Sequence, residues 1–516
     1  MKMLMGGETE YAMSARHANG RVFDQETLLW RFLDHAKTSL GYTSSSSGGR
    51  FLTNGGLLYL DAGLHVEWAT PECTSPFDVV RYLEAGDRIV HRLATSLEAQ
   101  ARDVVGLFCS RTNVDYVSGT LWAAHESYMH AGTPVDLADV LIPFLASRVV
   151  LGAGGWDRTA IGLRFTLSPR AAFINRLCDR DSQHVRPLFH TKDESLSGNG
   201  SRRLHVACSE SLCSHTANVV RFGSTALVLW LAMQGVRAGD KVQLALPVQA
   251  VLRFARNPSF EVLADGEPER WLSAIEIQRH YLKLVETRLG HREMPEWGEE
   301  VCRLWRRVLD GVEAQDGRLD GVMDWAIKRR LFQRVLERQG VSWASLEVWE
   351  AALMQLRTAW NETGGRAFDP LKAMDWTALA AARSRLARQL EPNGLTWNQL
   401  PDLFSARKQV FELDAKFGGL DATGIFNALD AAGVLQHRVE GLDIGDAETR
   451  PPQDTRARVR GDVVRRLSTE GISYGAEWIS VHDANRGRVL DLSNPFETEE
   501  RWREKTPVDY LSSRSA

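Results

Sequence analysis

The 516-residue sequence predicts an α+β protein organised around a mainly antiparallel sheet, with a small C-terminal domain. Three patterns predict it. Across residues 1–260, short strand-like runs are separated by turns and by helices of varied length, without a regular βαβ beat. From Glu267 to Ala415 the spacing of apolar residues is helical. Residues 416–516 carry their own separate pattern, so the chain divides into a main domain over 1–415 and a C-terminal domain over 416–516.

In chain order, the strand candidates are Leu4–Ser14, Leu57–Asp61, Val104–Ser110, Ile161–Leu167, Leu204–Ser209 and Lys241–Leu246. Amphipathic helices are expected at Gln25–Lys37 and Pro76–Ala99, and the serine-rich Thr43–Gly49 reads as a flexible loop. Further helices follow at Ile275–Leu289, Glu299–Val312 and Met323–Gln339, and Pro370, Pro392 and Pro401 break the region into short pieces. The last part predicts a helix near Ala422–Ala432, a basic helix at Arg456–Leu467 and a strand at Gly475–Asp483.

Composition excludes several classes. A net charge of −4 argues against nonspecific nucleic-acid or membrane binding. Glu8 interrupts the short apolar stretch after Lys2, so no secretory signal is visible, and the apolar run Ala226–Met233 is too short to span a bilayer. The six cysteines are scattered, with only Cys208 and Cys213 close together; this fits neither a zinc framework nor a disulfide scaffold, and predicts a reducing cytoplasm. The sixteen tryptophans, many in the helical middle, read as packing residues.

Four constellations carry chemistry. In Gly6-Gly7-Glu8-Thr9-Glu10-Tyr11, a strand points Glu8 and Glu10 the same way. Two readings fit that pair: a solvated edge strand, or carboxylates sharing a divalent cation. Next, Asn54–Asp61 starts a strand whose inward face holds Leu57, Tyr59 and Asp61. Asp61 ends it as a satisfied cap or as a base for an incoming amine, and the dense set His65, Glu67 and Glu72 favours the base. His125-Glu126-Ser127-Tyr128 is the third. In Arg202–Val206, alternation puts Arg203 and His205 on one face, a pair suited to phosphate oxygens and a metal. Gly152–Gly155 lacks the Lys-Ser/Thr of a phosphate loop.

Taken in order, these motifs resemble the family of Pup ligases and Pup deamidase/depupylases. Met5–Tyr11 is similar to its Met-Gly-x-Glu-Thr-Glu-Phe/Tyr strand, Asn54–Asp61 to its Asn-Gly-Ala-Arg-Leu-Tyr-Leu-Asp, and His65–Glu72 to its His-Pro-Glu-Tyr-Ala-Thr-Pro-Glu. His125–Tyr128 resembles His-Glu-Asn-Tyr, Arg202–Val206 resembles Arg-Arg-Leu-His-Val, and Pro451–Gly461 resembles Pro-Pro-x-Thr-Thr-Arg-Ala-x-x-Arg-Gly. The resemblance implies a glutamine-synthetase-like fold, a curved antiparallel sheet flanked by helices that cradles ATP and magnesium. It implies that a glutamate side chain is activated as an acyl phosphate and passed to a lysine amine. The partners would be a small disordered Pup-like modifier ending in Glu or Gln and lysine-bearing proteins.

By position, the resemblance makes Glu8, Glu10, Glu67 and His205 metal ligands and Asp61 the base. It places Tyr59, His125, Arg203, Lys192 and Arg456 around the nucleotide, Lys192 standing where the family has Arg. The Asp61-to-Glu67 spacing and the short segment before Asn54 resemble the ligase branch; Leu52–Gly55 and Thr74–Pro76 resemble the hydrolase branch. Other departures are Thr191–Ser197, Cys208–Ser211, Val66 and Trp68, and a helical stretch at about 345–410 that reads as an insertion. A small-molecule glutamate–amine ligase and a non-catalytic scaffold are the remaining readings.

Overall fold

The protein is described by a computed structural model over residues 3–40, 49–131, 134–160, 162–181, 185–191, 200–266, 268–362, 377, 380, 396–472 and 474–506. Its first half runs β1 (Met5–His17), α1 (Gln25–Ser39), β2 (Arg50–Phe51), β3 (Leu57–Leu60), β4 (Val66–Ala69), α2 (Pro76–Gln100), β5 (Val104–Ser110) and β6 (Ala124–His130). Then come α3 (Pro134–Ser147), the hairpin β7 (Gly155–Asp157) and β8 (Arg164–Thr166), β9 (Arg176–Asp179), β10 (Pro187–His190), β11 (Arg202–Val206) and α4 (His215–Met233). The central sheet has the order β2-β3-β4-β1-β6-β11-β10-β9, with β5 paired to the far half of β1. Every pairing in it is antiparallel except β9–β10, so the α+β class expected from the sequence is observed.

The helices begin where side chains satisfy free backbone N–H groups. Asp24 caps α1 through Thr27 N–H, Ser75 caps α2 ahead of Pro76, and Ser214 caps α4. One sheet face is covered by α2 and α4. On that side Gly7 is required: a Cβ there would lie 2.8 Å from Phe222 Cζ. Helix α4 is long and apolar enough to cross a membrane, but 89% of that apolar window is buried inside the protein. It is the core helix, and the apolar run Ala226–Met233 is only its second half.

The strand expected at Lys241–Leu246 is not formed. Only Leu244 makes a bridge, to Ala264, because a helix opens directly afterwards at Pro247. Conversely, β4 and β6 emerge from segments whose polar side chains hide the strand pattern. The Thr43–Gly49 loop lies almost wholly outside the described residues.

Helices at Ala274–Glu286, Gly298–Ala314 and Asp324–Arg338 match the helical middle. Across the stretch read as an insertion, helices Trp343–Glu362 and Leu400–Phe417 pack on the β7–β8 hairpin through aromatic rings, Trp156 lying 5.8 Å from Trp343 and 6.2 Å from Phe411. At the C-terminus, helix Arg456–Thr469 backs a four-stranded antiparallel sheet running from Tyr474–Ala476 to Trp502–Glu504. The segment before it belongs elsewhere: Phe426 packs on Phe417 and Ile327, while Val439, Ile444 and Ala447 enter the main core. We therefore propose a boundary near 451 rather than 416.

Candidate active site

Strand register assembles the site. Across neighbouring strands Glu10 faces Glu67, Glu67 faces Tyr59, Glu8 faces His125, and Ser127 faces His205. Since side chains alternate, all of these residues, with Arg203, project from the face away from α2 and α4. Glu8, Glu10, Glu67 and His205, distant in sequence, thus converge on one pleated surface. So do Tyr59, His125 and Arg203.

The contacts are close. His125 Nδ1 lies 3.1 Å from Glu8 and 3.5 Å from Glu67. His65 Nδ1 lies 3.1 Å from Glu10, which also accepts the Ala123 N–H at 2.7 Å. Arg203 reaches His205 Nδ1 at 3.1 Å. Asp61 follows β3 in a tight turn. Its Oδ1 accepts the His65 N–H at 2.5 Å and its Oδ2 lies 3.6 Å from the His65 ring. Within that turn Leu64 takes the left-handed conformation at φ 61°, a strained position for a leucine.

Electrostatics separates these groups. Burial pushes the Glu67 carboxyl up; the hydrogen bond to His125 opposes this, but the charges of Glu8 and Glu10 reinforce it and the net shift is upward. Burial also pushes Glu8 up, yet His125, His205 and Arg203 more than reverse this. His125 would lose its proton through burial alone, but Glu67 and Glu8 hold it as an imidazolium, raised to about 10. Burial drives His205 down and Arg203, His125 and His190 add to that, outweighing Glu8; this favours the neutral ring that ligates metals. Burial and the charge of Glu67 push Tyr59 well up, so it stays a phenol.

The donor set fits a divalent cation. Three trios (Glu8, His125, His205; Glu10, Glu67, His125; Glu10, Asp61, His65) each bring ligand atoms within 4.8 Å of one another. Glu67 Oε1 is buried, with the His125 Nδ1 at 3.5 Å beside it. At that separation each carboxylate pair costs about 3 kcal/mol at an effective dielectric near 20, a cost a shared cation removes.

Of the expected residues, Lys192 lies outside those described. Arg456, expected near the nucleotide, is buried and turned to Glu72, donating to it at 2.6 Å and to the Leu492 carbonyl at 3.0 Å. Arg460 joins the same carboxylate. The reason is burial: a charge this dry needs a direct counter-ion, and Glu72 provides it. His65, missed as a site residue in its own right, was signalled by its position four residues after Asp61 across a glycine-containing turn. A cavity of about 260 Å³ lies instead between α2, the start of α4 and residues 418–438. Its carboxylates Glu84, Asp87 and Asp430 are matched by His215, Arg111 and Arg438, which marks it as structural.

The family model described as Pup-ligase protein matches residues 3–362 and 344–482. The Pup–protein ligase of Rhodococcus erythropolis strain PR4 is 30% identical over 506 residues, 96% of each chain. That of Mycobacterium ulcerans is likewise 30% identical over 96% of each chain. Among solved structures, the complex between the prokaryotic ubiquitin-like protein Pup and its ligase PafA superposes with a TM-score of 0.74 at 22% identity, covering 99% of this chain and 92% of that one. The ligase PafA with ADP gives 0.67 at 23%, covering 90% of each. These structures share the fold.

Proposed function

The chain belongs to the Pup-ligase family, and from that premise we propose that it is an ATP-dependent carboxylate–amine ligase. It joins the side-chain carboxylate of the C-terminal glutamate of a Pup-like modifier to lysines of target proteins. The observation that carries this is the convergence of Glu8, Glu10 and Glu67 on one sheet face, with Asp61 at its rim.

In this reading Glu8, Glu10, Glu67 and His205 hold magnesium. When bound, magnesium offsets triphosphate charge and polarises the transferred phosphoryl group. Tyr59, His125 and Arg203 line the nucleotide side of the face. The modifier's γ-carboxylate oxygen attacks the terminal phosphorus of ATP, the bond to ADP breaks, and an acyl phosphate forms. Asp61, held by His65, accepts the proton of the lysine amine as its nitrogen bonds to the acyl carbon. Phosphate leaves and the isopeptide remains. All six cysteines are free, in keeping with a reducing cytoplasm, where we place the reaction.

The test is incubation with ATP, magnesium, a modifier ending in glutamate and a lysine-bearing target. ADP and a conjugate are expected. Cleavage of preformed conjugate, with no conjugate formed under any condition, would assign the hydrolase chemistry of the same fold instead.

A further inference from the structure

Arg170 is a buried cation without a carboxylate partner. It sits in the short 3-10 turn Pro169–Phe173 and is 7% exposed. Its Nη1 donates to the Trp122 carbonyl at 2.6 Å, and its Nε–H is buried with no acceptor. Among the described residues no carboxylate forms an ion pair with it; Glu10 and Glu210 act on it only from a distance. Glu210 is already engaged by the N–H groups of Ala153 and Arg170 and by the Ser168 hydroxyl. Three other buried guanidiniums are matched: Arg148 takes both oxygens of Glu126 at 2.8 Å, and Arg456 and Arg460 share Glu72. A dry, unmatched guanidinium is strongly unfavourable unless an anion joins it.

Its place identifies the anion. One peptide unit ties Arg170 to the acidic cluster: the Trp122 carbonyl takes the guanidinium, and the Ala123 N–H of the same peptide donates to Glu10. The Trp122 ring lies 5.8 Å from the ring of His65, which borders Asp61. Arg170 is therefore at the Asp61 end of the carboxylate row, whereas Arg203 is beside His205. A C-terminal glutamate brings two carboxylates. The γ-group must reach the phosphoryl donor, and the α-group is left as a charge that Glu8, Glu10 and Glu67 repel. A guanidinium at the amine-accepting end, with its Nε–H left without an acceptor, answers that charge.

We infer that Arg170 anchors the α-carboxylate of the modifier's C-terminal glutamate and so selects a free C-terminus. The inference rests on the ligase reading above. Its test compares a modifier ending in free glutamate with one ending in glutamate α-carboxamide, in the intact enzyme and in the Arg170→Lys and Arg170→Met variants. KM is measured separately for modifier and ATP, and direct modifier binding by fluorescence anisotropy. The wild type should bind the amide on the order of 10- to 100-fold more weakly than the acid. Arg170→Met should weaken the acid by a similar factor, leave KM for ATP unchanged and no longer distinguish acid from amide; Arg170→Lys should recover part. Equal affinity of the wild type for both modifiers overturns the inference, whether or not the variants fold. A change confined to KM for ATP also overturns it, by assigning Arg170 to the phosphoryl group. Wild-type discrimination of acid from amide without any conjugate formed would leave the anchor standing and sink the ligase reading alone.

Discussion

Glu67 and Glu72 flank the same short segment and are both buried, yet their surroundings are opposite. Glu67 looks onto Glu8 and Glu10 and has, among the described residues, only the His125 imidazole, at 3.5 Å, as its ion partner. Glu72 is gripped by Arg456 and Arg460. Burial pushes its carboxyl up too, but the two guanidiniums reverse this and hold it down to about 2. Glu126 repeats the second pattern with Arg148, on the other face of the strand that carries His125. A buried carboxylate clamped by guanidiniums is structural; a cluster of carboxylates that outnumbers its imidazole partners is arranged for a ligand that arrives later.

The largest effect tests the unmatched side. Glu8→Ala, Glu10→Ala and Glu67→Gln should each reduce magnesium-dependent ADP formation on the order of 10³-fold without lowering the melting temperature. Retained magnesium-dependent nucleotide binding in Glu67→Gln would break the contrast. Next, Asp61→Asn should slow conjugation by about 10²–10⁴-fold while nucleotide affinity, measured by calorimetry, stays the same. Equal loss of both would remove Asp61 from its role as base.

The matched side should fail differently. Glu72→Gln strands two buried guanidiniums and should cost about 3 kcal/mol of stability in denaturant unfolding, with conjugation per folded molecule intact. The same pair also acts through pH. Glu72 has an ordinary value of 4.5 when unfolded and about 2 when folded. Between those values the unfolded chain takes up a proton that the folded chain refuses, so up to about 3 kcal/mol is lost as pH falls from about 4.5 to about 2. That slope should be absent in Glu72→Gln; an identical acid profile in both proteins would mean that the clamp contributes nothing.

Much of this was legible in the sequence because a strand has a period of two. That alone put Glu8 with Glu10, Tyr59 with Asp61, and Arg203 with His205. Register was not legible: nothing local says that Glu10 faces Glu67 or that Ser127 faces His205, since the pairing joins strands far apart in the chain. Arg456 was misplaced for a related reason, because its partner Glu72 lies 384 residues away. Arg170 gave no signal, since a 3-10 turn has no amphipathic period to reveal which way a side chain points. Lys241–Leu246 looked like a strand from its alternation, but a strand also needs a neighbour, and only Leu244 finds one.

The most direct measurement is anomalous diffraction from crystals grown with ADP and manganese in place of magnesium. Ion peaks are expected within about 2.0–2.3 Å of carboxylate oxygens of Glu8, Glu10 and Glu67, and none at Glu72. Peaks that avoid those three side chains while ADP is bound would contradict the metal assignment.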